Sequence, residues 1–325
     1  MNFDYDLIVV GAGAGGAPVA ARVSEDPRLR VLLIEAGPDY PNLEALPEDI
    51  RNVNRASFTA HDWRLRYQPS ATSRADIPFA RGRVMGGSSA VNTSIALRGV
   101  PADYDEWASL GCPSWTWDQV LPAFIRLEAD ADFGDAPYHG TTGPLPVRRH
   151  TRDELVPYQA AFLDACAARG YPACPDHNDP ASTGYGPHPM NKRGTLRIST
   201  AIAYLGPARD RPNLRIMPDA TVRRVAVKDG AATGVEVRTN DGAIAAISPS
   251  CWASTSFRAA ASSSSVGSSE SAAAPHAAST ALEPAASVAP ETASRRRRER
   301  AARGEAAVRA LMRSGNLPGD GLVPS

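Results

Sequence analysis

The chain has 325 residues, 43% of them apolar, with 35 basic and 35 acidic side chains that cancel to a net charge of zero. That length accommodates two globular domains. The charge balance leaves no electrostatic footprint for nucleic acid or an acidic membrane surface, and the one concentrated basic run, RRRRER at 295–300, lies far downstream.

The cysteines, Cys112, Cys166, Cys174 and Cys251, lack the close pairing of a zinc site and the density of a disulfide scaffold, so they read as reduced thiols. No signal peptide opens the chain, and no stretch reaches the roughly 18 apolar residues of a membrane span. A soluble, cytoplasmic protein is expected.

The first chemical signal is YDLIVVGAGAGGAPVAARVSEDPRLRVLLIEAG, residues 5–37. A buried-strand pattern from Leu7 to Val10 meets Gly11-x-Gly13-x-x-Gly16. A small-residue helix follows to about Val23, and a second strand, Val31 to Ile34, ends at Glu35. Gly11 permits the tight turn, Gly13 lets a pyrophosphate approach the positive end of the helix, and Gly16 allows close helix–strand packing. Glu35 stands where a carboxylate accepts both hydroxyls of an adenosine ribose and repels a 2′-phosphate. The competing interpretation, a glycine-rich turn with no ligand, is weakened by strand, helix and acid occurring in this order. An adenine dinucleotide is expected, and this stretch leaves NAD and FAD both open.

Residues 81–99, RGRVMGGSSAVNTSIALRG, gather four glycines and three serines around Asn92. A flat isoalloxazine ring needs close approach from backbone N–H groups, which side chains larger than serine would prevent. Gly86, Gly87, Ser88 and Ser89 would supply such backbone. The stretch ARGRVMGGSSAVNTSIALRGVPADYD, 80–105, resembles the first signature of the glucose-methanol-choline (GMC) flavin oxidoreductases. The resemblance continues through DYDEWASLGCPSWTWDQVLPAF (103–124), YHGTTGPLPV (138–147) and GTLRISTAIAYLGPARDRPNLRI (194–216), so it covers about residues 5–245. It implies FAD and a choline-dehydrogenase-like relative. It also implies that Val84, Asn92, Thr93, Ser94 and Ile95 line the flavin and that the backbone of Val222 reaches the adenine. Val91 stands where members with a tethered flavin carry histidine, so noncovalent FAD is expected.

The implied fold is α/β: a Rossmann-type FAD-binding domain from 1–147 and 194–247, a fragment of an α+β substrate-binding domain at 148–193, and a low-complexity tail at 248–325. From Leu214, LRIMPDATVRRVAVKDGAATGVEVRTNDGAIAAI alternates as three short antiparallel strands joined by turns at 228–230 and 240–242.

Several residues are read as structural. Trp107, Trp115 and Trp117 admit a substrate cage, but core packing is preferred. His61 and Asp62 admit a general base, but a packing and turn role is preferred. Asp176, His177, Asn178 and Asp179 resemble a metal cluster only superficially, because neighbours in a proline-flanked loop point apart, and no metal is expected.

About half of residues 248–300 are alanine and serine, too poor in large apolar groups to offset the entropy of ordering. A natural extension and a frameshift in a GC-rich gene compete, and the abrupt loss of resemblance favours the frameshift. The family removes an alcohol's hydroxyl proton with a histidine while hydride passes to flavin N5, and that histidine lies in its carboxy-terminal third. None of the six histidines here matches the motif. The expectation is thus a truncated FAD-dependent oxidoreductase for an alcohol, catalytically impaired, with the acceptor (oxygen, quinone or another carrier) and the oligomeric state open. The alternatives are a noncatalytic flavin-binding module and an NAD-dependent Rossmann enzyme.

Overall fold

The computed structural model describes residues 5–248 except 56, 58, 59, 71, 73 and 74. The expected low-complexity tail lies outside them.

Three short parallel strands form one sheet: β1 (Leu7–Val10), β2 (Val31–Ile34) and β3 (Leu214–Met217), in the order β1-β2-β3. The central strand VLLI is 0–1% exposed at every position, as expected of a strand covered on both faces. Because successive side chains point to opposite faces, Val31 and Leu33 enter one core and Leu32 and Ile34 another. In the first core, helix α1 (Gly16–Val23) lays Ala17, Ala20 and Ala21 on the sheet beside Tyr204, Leu205 and Ala208. Gly16 makes that approach feasible, since a Cβ there would sit 1.9 Å from the Gly11 carbonyl oxygen.

In the second core, Leu32 and Ile34 meet Ala220, Val235 and Val237 of an antiparallel sheet. Its strands are β4 (Ala220–Lys228), β5 (Ala231–Thr239) and β6 (Ile244–Ile247). Asp229 and Gly230 both take positive φ, 53° and 77°, the signature of a two-residue hairpin of the primed type. The turn before β6 closes with the Ala243 carbonyl accepting from the Thr239 N–H and Gly242 at φ 85°.

The region from Leu214 therefore holds four strands, not three, and the first is parallel to β2, with Leu214 opposite Val31. Alternation reveals a strand but not its neighbour. What selects this partner is Asn213, whose Nδ2 donates to the carbonyls of Ser24, Asp26 and Leu29 in the connection before β2.

Helices α2 (Pro101–Ser109) and α3 (Trp117–Leu127) follow the serine-rich stretch, and α4 (Pro157–Ala168) lies further on. The tryptophans do not form a core. Trp107 and Trp117 pack on buried Tyr104, and Trp115 packs on Trp107, but Trp107 and Trp115 remain 49% and 48% exposed. A single buried anchor at Tyr104 leaves the outer rings as a surface layer.

Among the described residues, no helix is long and apolar enough to cross a membrane.

Candidate functional site

The carboxyl ends of the parallel strands are where α/β sheets open to ligands, and the glycine-rich turn sits there. Gly11, at φ 87°, turns the chain after β1, with its N–H on the Ile34 carbonyl at 2.7 Å. The N–H groups that open a helix have no partners within it, which makes the start of α1 a donor surface for anions, although the Ala17 N–H is already taken by the Gly13 carbonyl at 3.1 Å. A Cβ on Gly13 would meet only the Gly87 Cα, at 3.8 Å, so space is open beside its backbone.

The second glycine-rich stretch folds directly onto the first. Gly86, left-handed at φ 93°, donates its N–H to the Ala12 carbonyl at 2.8 Å, and Met85 donates to Pro38. Gly87, at φ 53°, begins a 3-10 turn through Ala90 and lies so near the first turn that a Cβ would stand 2.6 Å from the Gly13 Cα. Gly82 is bare for a similar reason, because its Cβ would meet the Gly87 carbonyl at 2.3 Å. Part of the glycine content thus serves contact within the chain.

Glu35 continues the rim. It is 5% exposed, and its carboxylate oxygens accept from the Ala12 N–H at 2.8 Å and the Gly37 N–H at 2.9 Å. Burial pushes its carboxyl up from the ordinary value, against those hydrogen bonds and the charge of Arg83. Each ionised oxygen accepts more than one hydrogen bond, so capacity remains for hydroxyl donors. The Glu35 carbonyl accepts from Ala220 and the Gly37 carbonyl from Asp219, which brings the start of β4 to this end of the sheet. Val222 follows immediately before a bulge between Val222 and Arg224. Such bulges re-aim a strand beside sites.

After the 3-10 turn, the Asn92 N–H donates to the Ser88 carbonyl, and the Asn92 Oδ1 accepts from the Ser94 N–H at 2.9 Å. Asn92, Thr93 and Ile95 are exposed, while Ser94, at φ 58°, is buried with its carbonyl on the Asn191 N–H. The Ser88 hydroxyl accepts from the Gly82 N–H at 3.2 Å. Val84 is fully buried in a cluster with Ile50, Ala90 and Val91, so only its backbone is near the turn surface.

Two contributors were not singled out in the sequence. Thr200 donates its hydroxyl to the Gly13 carbonyl at 3.3 Å and meets the Ser89 hydroxyl at 3.0 Å, tying both glycine stretches together. Arg197 donates to Ser94 Oγ. Both lie in GTLRISTAIAYL, whose pattern marked the segment but assigned it no role. A separate cavity of about 190 Å³ behind the 3-10 turn is lined by Tyr40, Met85, Ala90, Ser199 and Ile202, among others, and by none of the expected cofactor residues.

The remaining acid and histidine clusters are internal. His61 is held between Asp49 (Nδ1, 2.9 Å) and Tyr40 (Nε2, 2.9 Å), and Asp62 accepts from the Arg81 N–H at 2.7 Å. Glu128, Asp130 and His139 bring three ligand-type atoms within 4.8 Å of one another. The donor set does not suit a cation, because Arg98 and Arg149 already bind these carboxylates and His139 also contacts Asp176 at 2.9 Å. Asp176, His177 and Asn178 point apart: to His139 and Arg149, to Cys174 and the Gly186 carbonyl, and to the Arg98 N–H and Ala96 carbonyl.

A parallel sheet with a glycine turn, a first-turn donor surface and an acid ending its second strand defines a dinucleotide-binding domain of the Rossmann type. A family model described as GMC oxidoreductase matches residues 5–273, beyond the limit near 245 read from the sequence, and the chain belongs to that family, whose cofactor is FAD. The 5-(hydroxymethyl)furfural oxidase of Methylovorus sp. is 37% identical over 245 residues, 72% of this chain and 46% of that protein. The oxygen-dependent choline dehydrogenase of Photobacterium profundum is 36% identical over 239 residues, 73% of this chain and 42% of the other. The crystal structure of pyridoxine 4-oxidase from Mesorbium loti matches with a TM-score of 0.67 at 35% identity, over 76% of this chain and 48% of that one. The chain thus spans a little under half the length of the relatives it matches.

Proposed function

We propose that this chain is the FAD-holding part of a GMC oxidoreductase acting on an alcohol, with FAD bound noncovalently. The observation that carries the reading is the seating of Gly87 on Gly13, which joins two glycine-rich stretches into one backbone surface at the start of α1. The open space beside Gly13 and the donor surface of α1 suit a pyrophosphate. Glu35 accepts the ribose hydroxyls, and the backbone at Val222 borders the adenine. Gly86, Ser88 and the exposed turn Asn92, Thr93, Ser94 and Ile95 border the flavin ring. When bound, FAD supplies a hydride acceptor at flavin N5 for oxidation of an alcohol carbon. Val91, 4% exposed in its apolar cluster, has no nucleophilic atom for a covalent tether.

The FAD-binding domain comprises 1–147 and 194–247, and 148–193 begins the substrate side. Asp176, Asn178 and Met190 tie the inserted stretch to His139, Arg98 and Ile95 of the FAD-binding part. Every described histidine is engaged elsewhere: His61 and His139 as above, His150 with Lys192 Nζ at 2.8 Å, and His177 with Cys174 and the ring of His188. None is assigned to accept the alcohol's proton, and the 325-residue chain by itself is expected to hold FAD without turnover.

Purified chain should carry a flavin absorbance that acid precipitation releases into the supernatant, and anaerobic addition of an alcohol should leave that absorbance unbleached. A colourless chain that takes up NAD instead would replace this reading. Colour retained in the pellet would overturn the noncovalent link, and bleaching would overturn the absence of turnover.

A further inference from the structure

Arg197 is the largest fully buried side chain, at 0% exposure, and no carboxylate lies within ion-pair distance of it among the described residues. Burying a guanidinium is costly unless its donors are satisfied. Its donors go to neutral acceptors: Nε to the Ile50 carbonyl at 3.2 Å, one terminal nitrogen to the carbonyls of Asn52 (3.0 Å) and Arg55, and the other to Ser94 Oγ at 3.4 Å. The acid whose charge reaches it, Asp49, is itself occupied by the Ser57 hydroxyl at 2.6 Å and by His61 at 2.9 Å. A planar fork with donors in fixed directions joins several acceptors at once, which a lysine ammonium cannot reproduce.

Through the Ser94 hydroxyl, the fork reaches a residue of unusual backbone. Ser94 is a non-glycine residue at φ 58°, a conformation that must be held by its surroundings, and it sits inside the exposed turn from Asn92 to Ile95. Resting on the FAD reading above, we propose that Arg197 is a positioning residue for the cofactor. Its guanidinium ties the chain at 50–55 to Ser94 and so presets the turn that borders the flavin ring before the cofactor arrives. Its part is geometric and needs no contact with FAD.

The test uses the 325-residue chain with Ser94→Ala and Arg197→Lys, measuring FAD affinity and flavin band shape by absorbance titration. Amide hydrogen exchange at 92–95 and the melting temperature are measured on the FAD-free chain. Ser94→Ala removes one oxygen and should leave melting within a few degrees of wild type. Both variants should speed exchange at 92–95. If the competent turn falls to about a tenth of the population, FAD affinity drops about tenfold, with altered flavin fine structure. Wild-type exchange together with wild-type affinity in both variants would overturn the proposal, whatever Arg197→Lys does to melting. If the wild-type chain binds no FAD but the variants still speed exchange at 92–95, the FAD reading falls and the preset turn stands.

Discussion

Gly87 rests on Gly13 with so little clearance that a methyl group at 87 would lie 2.6 Å from the Gly13 Cα, whereas a methyl group at 13 would meet nothing nearer than 3.8 Å. The two glycines thus serve different ends: one is closed by the fold and the other is open beside the start of α1.

Gly87→Ala should destabilise the folded chain by about 1–3 kcal/mol, through overpacking and a positive φ, read from urea midpoints. Gly13→Ala should stay within about 0.5 kcal/mol of wild type in the same assay yet weaken FAD binding, because its methyl enters the cofactor's space. Unchanged FAD affinity in Gly13→Ala would place the cofactor elsewhere.

Glu35→Ala removes the acceptor of two backbone N–H groups, those of Ala12 and Gly37. Each orphaned donor costs about 1–3 kcal/mol, so a drop in thermal stability should appear without FAD present. A variant as stable as wild type would mean that the carboxylate does not brace the turn.

The buried network around His139 sets a pH window. Burial alone would lower its pKa, but hydrogen bonds to Asp176 and Glu128, with the charges of Glu128 and Asp130, raise it from 6.5 to about 9. A raised pKa gives stability that is complete below 6.5 and lost as pH rises through about 9. Asp176 runs the other way. Burial raises its pKa, yet hydrogen bonds from His139 and Asn178 and the charge of Arg149 hold it at about 2, so its contribution is present above 3.8 and lost as pH falls through about 2. Melting temperature should therefore plateau between these limits and decline on the alkaline side. His139→Gln should flatten that decline and cost about 3–5 kcal/mol at neutral pH, because Glu128, Asp130 and Asp176 would then face only the two cations Arg98 and Arg149 and one buried negative charge would be left unbalanced.

In the antiparallel sheet, Gly234→Ala should be worse than Gly242→Ala. A Cβ at 234 would stand 2.4 Å from the Ile247 carbonyl oxygen and push β6 off its partner, while at 242 nothing lies within 4 Å. The second change costs only the left-handed turn strain, about 1–2 kcal/mol. Hydrogen exchange of the β6 amides separates the two effects.

Much of the site was legible because its parts are local. Gly11, Gly16 and Glu35 stand where a strand–turn–helix–strand reading puts them, and the hairpin at Asp229–Gly230 follows from two residues that tolerate positive φ. The aromatic layer was misplaced because composition does not say that Tyr104 alone is buried among its neighbours. The side chain of Val84 enters an apolar cluster that joins Ala90 and Val91 of its own stretch to Ile50 of a distant one, and the sequence around Val84 does not announce that partner.

By itself the sequence determined the conformations that each residue's own backbone and immediate neighbours dictate: the glycine turn, the alternating strands, the tight hairpins and the acid ending β2. Tertiary structure alone decided that Gly87 seats on Gly13 and that Leu214 pairs beside Val31. It also decided that His139 is shared between Glu128 and Asp176, and that Arg197 reaches Ser94. The physical reason is the same in each case: the energy lies in contacts between segments far apart in the chain, and such contacts leave no periodicity in the sequence around either partner.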